Sequence, residues 1–104
     1  MTKTETDLVR TVHQLITSND IVIFSKTYCP FSMMAKEIFG RMNKTYRVIE
    51  LDKRSDGPQI QDVLQEMTGA KTVPRVFVRG QCLGGGMDVR SLFVNGKLRR
   101  IVGV

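Results

Sequence analysis

Tryptophan is absent from this chain, and cysteine, histidine and proline are scarce, with two, one and three residues among 104. Two cysteines are too few for the dense disulfide framework of small secreted domains, so we expect thiol chemistry in a reducing compartment. No constellation of residues has the spacing of a metal site, so no resident metal is expected. The single His13 lies in a helical pattern, which favours packing or surface exposure over catalysis.

Long hydrophobic runs and a targeting signal are also missing. No apolar stretch approaches the roughly 20 residues of a membrane-spanning helix. The first seven residues are polar and include acids, unlike a secretory signal or an Arg-rich transit peptide. We therefore expect a cytoplasmic protein with no membrane partner. The mitochondrion is the alternative if a targeting segment has been removed.

Basic residues outnumber acidic ones by 16 to 10, which gives a net charge of +6. This charge favours anionic partners by long-range attraction. The basic residues are scattered from Lys26 to Arg100, without interleaved aromatic residues or a recognition-helix pattern. The sequence therefore predicts solvated surface charge and no nucleic-acid partner.

The hydrophobic pattern indicates one α/β domain over residues 1–104, with 41% hydrophobic content. Helical spacing covers residues 5–18, 31–43 and 60–69, and a last helix near residues 87–93 is followed by a tail. Strands are predicted at residues 21–25, 46–51, 73–78 and 81–83, the last two forming a tight hairpin. The first strand, helix and strand should form a right-handed parallel unit. We expect a four-stranded mixed sheet flanked by helices on both faces.

Cys29 lies between the first strand and the second predicted helix. Pro30 suits the first helical position, because its missing N–H has no intrahelical partner there. Unpaired N–H groups and the helix dipole favour an anion at this end, where the pKa of cysteine falls from about 8.5 to roughly 3.5–7.5. The sequence predicts a partly exposed, reactive thiol, and a buried structural cysteine is the alternative.

Three segments resemble the glutaredoxin family in order and spacing. Residues 26–32, KTYCPFS, are similar to its active-site loop, and residues 72–74, TVP, to its cis-proline loop. Gly84 and Gly85 with Asp88 resemble its glutathione-binding corner. The resemblance covers almost the whole chain and implies a thioredoxin-like fold. It also implies a monomeric, glutathione-dependent thiol–disulfide oxidoreductase, with glutathione as co-substrate and glutathionylated proteins as clients.

The resemblance implies two catalytic positions. Cys29 is the implied nucleophile, which takes glutathione from a protein mixed disulfide before a second glutathione releases it. Ser32 stands where dithiol members carry a second cysteine, so a monothiol route is implied. Its hydroxyl is either a donor to the thiolate or a polar residue of the first helical turn.

Glutathione-binding residues are implied by the same resemblance. Lys26 and Gln61 match the positions that hold the glycine carboxylate. The peptide bond between Val73 and Pro74 is expected to be cis, so that the Val73 backbone faces the cysteinyl part of glutathione. Arg75 beside it either adds positive charge or is an exposed rim residue.

The start of the last predicted helix is implied to bind the γ-glutamyl end of glutathione. Gly85 permits close backbone approach, and the first N–H groups of the helix, near Met87, favour an anion. Asp88 is expected to contribute its carboxylate and to cap the helix. Tyr28 and Phe31 are expected to flank the sulfur.

Two other functions remain open from the sequence. One is an iron–sulfur cluster carrier, in which glutaredoxins pair two protein cysteines with two glutathiones in a dimer. Carrier members have Cys-Gly-Phe-Ser, a longer loop before the cysteine and a Trp-Pro pair, whereas this chain has Pro30 and no tryptophan. The other is a non-catalytic binding module that retains the fold. Cys82 is expected to fill core space.

Overall fold

Helices and strands alternate along residues 2–103, the part of the chain that the computed structural model describes. The strands are β1 (Ile21–Ser25), β2 (Arg47–Glu50), β3 (Arg75–Val78) and β4 (Gln81–Gly84). The helices are α1 (Lys3–Thr17), α2 (Pro30–Arg41), α3 (Gly57–Thr68), α4 (Gly86–Val94) and α5 (Lys97–Val102). None of the helices found in residues 2–103 has the length and apolar character needed to cross a membrane.

The four strands form one mixed sheet in the order β2-β1-β3-β4. β1 is parallel to β2 and antiparallel to β3, and β3 is antiparallel to β4. Every residue of β1 is buried, as its unbroken β-branched and aromatic sequence predicts for an inner strand. The predicted α/β fold with a mixed sheet is confirmed.

Alternate side chains of β1 face two hydrophobic cores, because successive residues of a strand point to opposite faces. Ile21 and Ile23 lie in a core that α2, α4 and α5 cover. Val22 and Phe24 lie in the other core, which α1 and α3 cover. Phe24 packs edge-to-face against Phe77 of β3, with ring centroids 5.8 Å apart. Helices therefore flank both faces of the sheet.

Several element boundaries differ from the prediction, α3 for example beginning at Gly57. β2 stops at Glu50, because the chain turns into a 3-10 helix, Leu51–Lys53, that buries Leu51. β3 begins only at Arg75, after the loop that contains Pro74. The predicted tail is wrong, since residues 97–102 form α5. Gly96, with φ 82°, lets the chain turn out of α4 and start this short helix.

The sheet brings the loops after β1 and β2 to one edge, because the carboxyl ends of parallel neighbours lie side by side. An ion pair fixes α2 to this edge: Lys36 Nζ lies 2.8 Å from Oε2 of Glu50, the last residue of β2. Both side chains are about three-quarters buried, with 22% and 25% exposed. The middle of α2 is therefore tied to the end of β2.

Candidate active site

Cys29 is the N-cap residue of α2, and Pro30 is the first residue of that helix. The backbone N–H of Cys29 donates to the Lys26 carbonyl at 3.1 Å, which closes the loop after β1. The side chain of Cys29 is half-buried and forms no disulfide. The loop therefore presents the sulfur at the N-terminus of α2 and leaves it partly accessible.

The pKa of the Cys29 thiol lies below its ordinary value. Burial is the largest single influence and raises the pKa, because it disfavours the charged thiolate. The Ser32 hydroxyl, the backbone N–H groups of Ser32 and Phe31, and the charge of Lys26 all lower it. Together these groups outweigh burial, so the site stabilises a thiolate.

Ser32 is fully buried in the first turn of α2. Its Oγ is one of two buried side-chain polar atoms in residues 2–103 that have no hydrogen-bond partner. In the protonated form, the Cys29 thiol is itself a donor, which points toward the Val73 carbonyl. Ionisation turns the weakly accepting sulfur into a strong acceptor, so the Ser32 hydroxyl gains a favourable partner when the thiolate forms.

The sulfur faces the loop that precedes β3. Cys29 Sγ lies 3.7 Å from the Val73 carbonyl oxygen, as a weak hydrogen bond. The peptide bond between Val73 and Pro74 is cis, as expected from the resemblance, and Pro74 is fully buried. The fold thus brings two distant segments, residues 29–32 and 73–74, together at one point.

A second contact fixes the loop before Cys29 and was not predicted from the sequence. The Thr27 backbone N–H donates to Asp52 Oδ1 at 3.0 Å, and its hydroxyl donates to Oδ2 of the same carboxylate. The Thr27 hydroxyl holds the pKa of Asp52 below its usual value. This bonding therefore persists until the pH falls through that lowered pKa. The only signal in the sequence is an acid directly after an apolar strand.

The segment from Gly84 to Asp88 forms a tight corner between β4 and α4. Asp88 Oδ2 accepts the Gly85 backbone N–H at 2.8 Å, so Asp88 caps α4 as predicted. A Cβ atom added at Gly86 would lie 3.0 Å from Phe31 Cβ and 3.1 Å from the Phe31 carbonyl oxygen. The absence of a side chain at Gly86, which the sequence analysis did not single out, lets α4 begin against the first turn of α2.

Three further predicted site residues lie in the loop before Cys29 and on α3. Lys26 is half-buried directly after β1, and its charge acts on the sulfur. Gln61, on α3, donates from Nε2 to the Lys71 carbonyl at 2.9 Å. Because a primary amide carries two N–H groups, this bond does not exhaust its capacity to donate. Tyr28 is largely exposed in the loop directly before Cys29.

Several large apolar or aromatic side chains close to the thiol in sequence are exposed. Tyr28, Phe31 and Met33 present large side chains to solvent around Cys29, and Met87 does so at the first turn of α4. The first turn of α4 begins against Phe31, because a Cβ atom added at Gly86 would lie 3.0 Å from Phe31 Cβ.

Arg75 does not lie on the rim, so the alternative of an exposed residue is wrong. It is only 8% exposed. Its Nε donates to the carbonyl oxygens of Thr72 and Pro74, at 2.9 and 3.3 Å. Because strand β3 is covered on both faces, its first side chain folds back along the loop instead of reaching solvent.

Cys82 and His13 lie away from these contacts. Cys82 is half-buried on β4 and packs against the core under α1 and α3, as predicted. His13 is exposed on α1. Within the described residues, no group of three or more His, Cys, Asp or Glu side chains is placed to hold a metal ion.

Comparison with known proteins gives a consistent family. The glutaredoxin family model matches residues 21–83, more than half of the chain. Monothiol glutaredoxin-S6 of Oryza sativa subsp. japonica is 49% identical over 92 residues, which cover 88% of this chain and 70% of that protein. Mitochondrial glutaredoxin-2 of Mus musculus is 46% identical over 96% of this chain, and the match spans 64% of its length.

Solved structures agree with the predicted thioredoxin-like fold. The buckwheat glutaredoxin–glutathione complex has a TM-score of 0.93 and 38% identity, covering 99% of this chain and 94% of that one. The holo form of glutaredoxin C1 from Populus tremula x tremuloides has a TM-score of 0.91 and 34% identity, covering 93% and 96%. The chain therefore belongs to the glutaredoxin family of glutathione-dependent thiol oxidoreductases.

Proposed function

We propose that this chain reduces protein–glutathione mixed disulfides by a monothiol route that uses Cys29 alone. The observation that carries the proposal is a partly accessible thiol with a lowered pKa at the start of α2, beside Val73 and with a hydroxyl at position 32. Ser32 cannot form a disulfide, and Cys82 lies on β4 in the opposite core. The name of the rice relative, a monothiol glutaredoxin, supports this proposal.

The reaction takes two thiol–disulfide exchanges. The Cys29 thiolate attacks the glutathione sulfur of the mixed disulfide, and a Cys29–glutathione disulfide forms while the client sulfur leaves as a thiolate and takes up a proton. The thiolate of a second glutathione then attacks the bound glutathione sulfur. Oxidised glutathione leaves, and the Cys29 thiolate is regenerated. The net reaction converts one protein–glutathione mixed disulfide and one free glutathione into the protein thiol and oxidised glutathione, so the incoming glutathione is the reductant and its proton passes to the client thiolate.

The glutathione-binding residues remain proposals at the positions the sequence predicts. Lys26 and Gln61 would hold the glycine carboxylate, and the Val73 backbone beside Pro74 would pair with the cysteinyl part. The N–H groups of Gly86, Met87 and Asp88 have no acceptor within their helix and would receive the glutamyl carboxylate next to Gly85, as helix N-termini favour anions. Tyr28 would cover the sulfur. That buckwheat glutaredoxin forms a complex with glutathione supports this assignment.

Three variants test the route. A glutathionylated peptide is incubated with glutathione and enzyme, and the released thiol is followed by mass spectrometry. We expect Cys29→Ala to abolish catalysis and Cys82→Ser, the matched cysteine control, to keep most of it. Ser32→Cys should add reduction of protein disulfides. Equal turnover by Cys29→Ala would end the proposal.

The same material discriminates the two alternative functions. An iron–sulfur carrier would show visible charge-transfer absorbance after anaerobic purification with glutathione. A non-catalytic module would leave Cys29 with an ordinary thiol pKa. After incubation with oxidised glutathione, we expect peptide mapping to locate the adduct on Cys29.

We further propose that residues 1–104 act as one monomeric domain on glutathionylated clients in the cytoplasm. The mitochondrial name of the mouse relative makes the mitochondrion the alternative compartment. Sedimentation of the purified chain tests the oligomeric state, and imaging of the tagged protein in its own cells tests the compartment.

A further inference from the structure

Arg75 is a buried cation that forms no ion pair among residues 2–103, although the Asp88 carboxylate lies nearby: a Cβ atom added at Gly85 would be 2.8 Å from Arg75 Nη2 and 3.8 Å from Asp88 Oδ2. Arg75 is 8% exposed, and no carboxylate in residues 2–103 forms an ion pair with it. Its Nε donates to two backbone carbonyls, which are neutral acceptors. Burying a charge is costly unless an opposite charge offsets it. Because Asp88 does not pair with it directly, the positive charge of Arg75 is only partly offset and remains able to stabilise an anion.

The guanidinium lies between the two loops of the proposed glutathione site. On one side it binds the carbonyl oxygens of Thr72 and Pro74, which bracket Val73. On the other side its Nη2 lies against Gly85, where an added Cβ atom would be only 2.8 Å from that nitrogen and 3.6 Å from the Pro74 oxygen. Arg75 therefore connects the loop that faces Cys29 to the residue that precedes α4.

We propose that Arg75 is a positioning residue for the γ-glutamyl carboxylate of glutathione. It holds Gly85 and the Thr72–Pro74 backbone at a fixed separation and places a positive charge beneath the start of α4. This inference rests on the proposed function and adds a residue to its binding site.

Charge at this corner explains why a cation is needed. Asp88 already brings a carboxylate to the start of α4, where it accepts the Gly85 N–H. A second carboxylate arriving beside it would be repelled, although Asp88 suits the ammonium group of the same glutamyl end. Arg75 offsets that repulsion across Gly85, so that the anion and the cation of one zwitterionic group are both accommodated.

A pair of substrates separates this role from simple loop support. One peptide carries glutathione on its single cysteine. The other carries 4-aminobutanoyl-cysteinylglycine, which is glutathione without the glutamyl carboxylate. The second-order rate constant for transfer to Cys29 is measured for both peptides in the Cys82→Ser background. Arg75→Gln should slow transfer from the glutathionylated peptide about tenfold, since a charge-assisted interaction is lost, and should leave the analogue within about twofold.

Arg79→Gln is the matched control. Arg79 follows the other end of β3, and its guanidinium likewise donates to backbone carbonyls, those of Ile101 and Val102, both at 3.2 Å. The Arg79→Gln substitution removes the same charge far from the corner between β4 and α4, and it should change the transfer rate of neither peptide. Arg75→Lys keeps the charge but not the planar fork, so its rate with the glutathionylated peptide should fall between those of wild type and Arg75→Gln.

Equal slowing of both peptides by the Arg75 variants would show a purely structural role and overturn the inference, as would no slowing of either. Failure of the proposed function looks different, because the wild-type chain would then accept neither adduct on Cys29. If Arg75→Gln does not fold, as judged by its thermal transition, the selectivity of Arg75→Lys between the two peptides decides the question.

Discussion

At the residue scale, two opposing effects set the pKa of the Cys29 thiol. Burial favours the neutral thiol, whereas the Ser32 hydroxyl, two backbone N–H groups and Lys26 favour the thiolate. Ser32 gives the largest of the favourable contributions. Its hydroxyl has no other partner, so all of its donor capacity is available to the ionised sulfur. We therefore expect Ser32 to favour ionisation of Cys29, although a hydroxyl cannot form a disulfide.

We predict that Ser32→Ala raises the pKa of Cys29. Removing an unpartnered buried hydroxyl leaves no orphaned group behind, so stability should change little while the thiolate loses a donor. The pH dependence of Cys29 alkylation by iodoacetamide, in the Cys82→Ser background, measures this. The variant's rate should begin to fall at a higher pH than the parent's as pH is lowered. An unmoved profile would contradict the role of Ser32, and Ser91→Ala on α4 is the exposed-serine control.

How far the sequence predicts individual site residues depends on whether their partners are local. Cys29 and Ser32 belong to one short segment, so helix patterning and the family resemblance suffice to place them. The Thr27–Asp52 contact joins residues 25 positions apart and forms only once β1 and β2 are paired. The burial of Arg75 likewise depends on Gly85, which a strand pattern alone does not place beside it.

At the element scale, the site depends on how closely α4 begins against α2. Gly86 starts α4 and is buried against Phe31 and Met34 of α2. The contact includes the Phe31 carbonyl oxygen, which belongs to the backbone and has little freedom to move. The distance between the N-termini of α2 and α4 therefore depends on position 86 being glycine, which has no side chain.

We predict that Gly86→Ala destabilises the fold by about 1–3 kcal/mol, the usual cost of overpacking. Gly40→Ala is the control, because Gly40 lies within α2 with nothing within 4 Å of an added Cβ atom. That change should be neutral or stabilise by up to about 1 kcal/mol, since alanine favours helix. Urea denaturation gives both values. Equal midpoints for the two variants would show that α4 can move away from α2 at no cost.

The order of elements was predictable because segments with apolar residues at helical spacing alternate along the chain with short runs rich in β-branched and aromatic residues. The short elements were not. Leu98, Ile101 and Val102 have helical spacing, but six residues are too short a window to establish a helical period. Helix α5 forms because Gly96 redirects the chain onto an existing core. The 3-10 helix after β2 similarly places Leu51 in the core although the strand pattern continues through it.

At the scale of the whole molecule, two cores lie on opposite faces of one sheet. The candidate site lies where the loop after β1 meets the loop before β3. α5 closes the core shared with α2 and α4 by burying Leu98 and Val102. The loop that carries Cys29 follows the C-terminal end of β1, and neither Leu98 nor Val102 belongs to it. We therefore expect substitutions in α5 to change stability without changing the chemistry of Cys29.

We predict that Leu98→Ala lowers the free energy of unfolding by about 2–5 kcal/mol, as loss of a fully buried leucine does. Val94→Ala, at a 71% exposed position on α4, should stay within about 0.5 kcal/mol of the parent. Below its unfolding temperature, Leu98→Ala should keep the parent's rate with a glutathionylated peptide. A Leu98→Ala variant as stable as Val94→Ala would contradict the packing of α5.

The most direct test of the central claim is a pH titration of Cys29 in the Cys82→Ser variant, followed by the ultraviolet absorbance of the thiolate. A site that stabilises the anion predicts a midpoint below the ordinary cysteine value of about 8.5. A midpoint at or above that value would show that burial prevails over Ser32, Lys26 and the start of α2, and it would contradict the proposed chemistry.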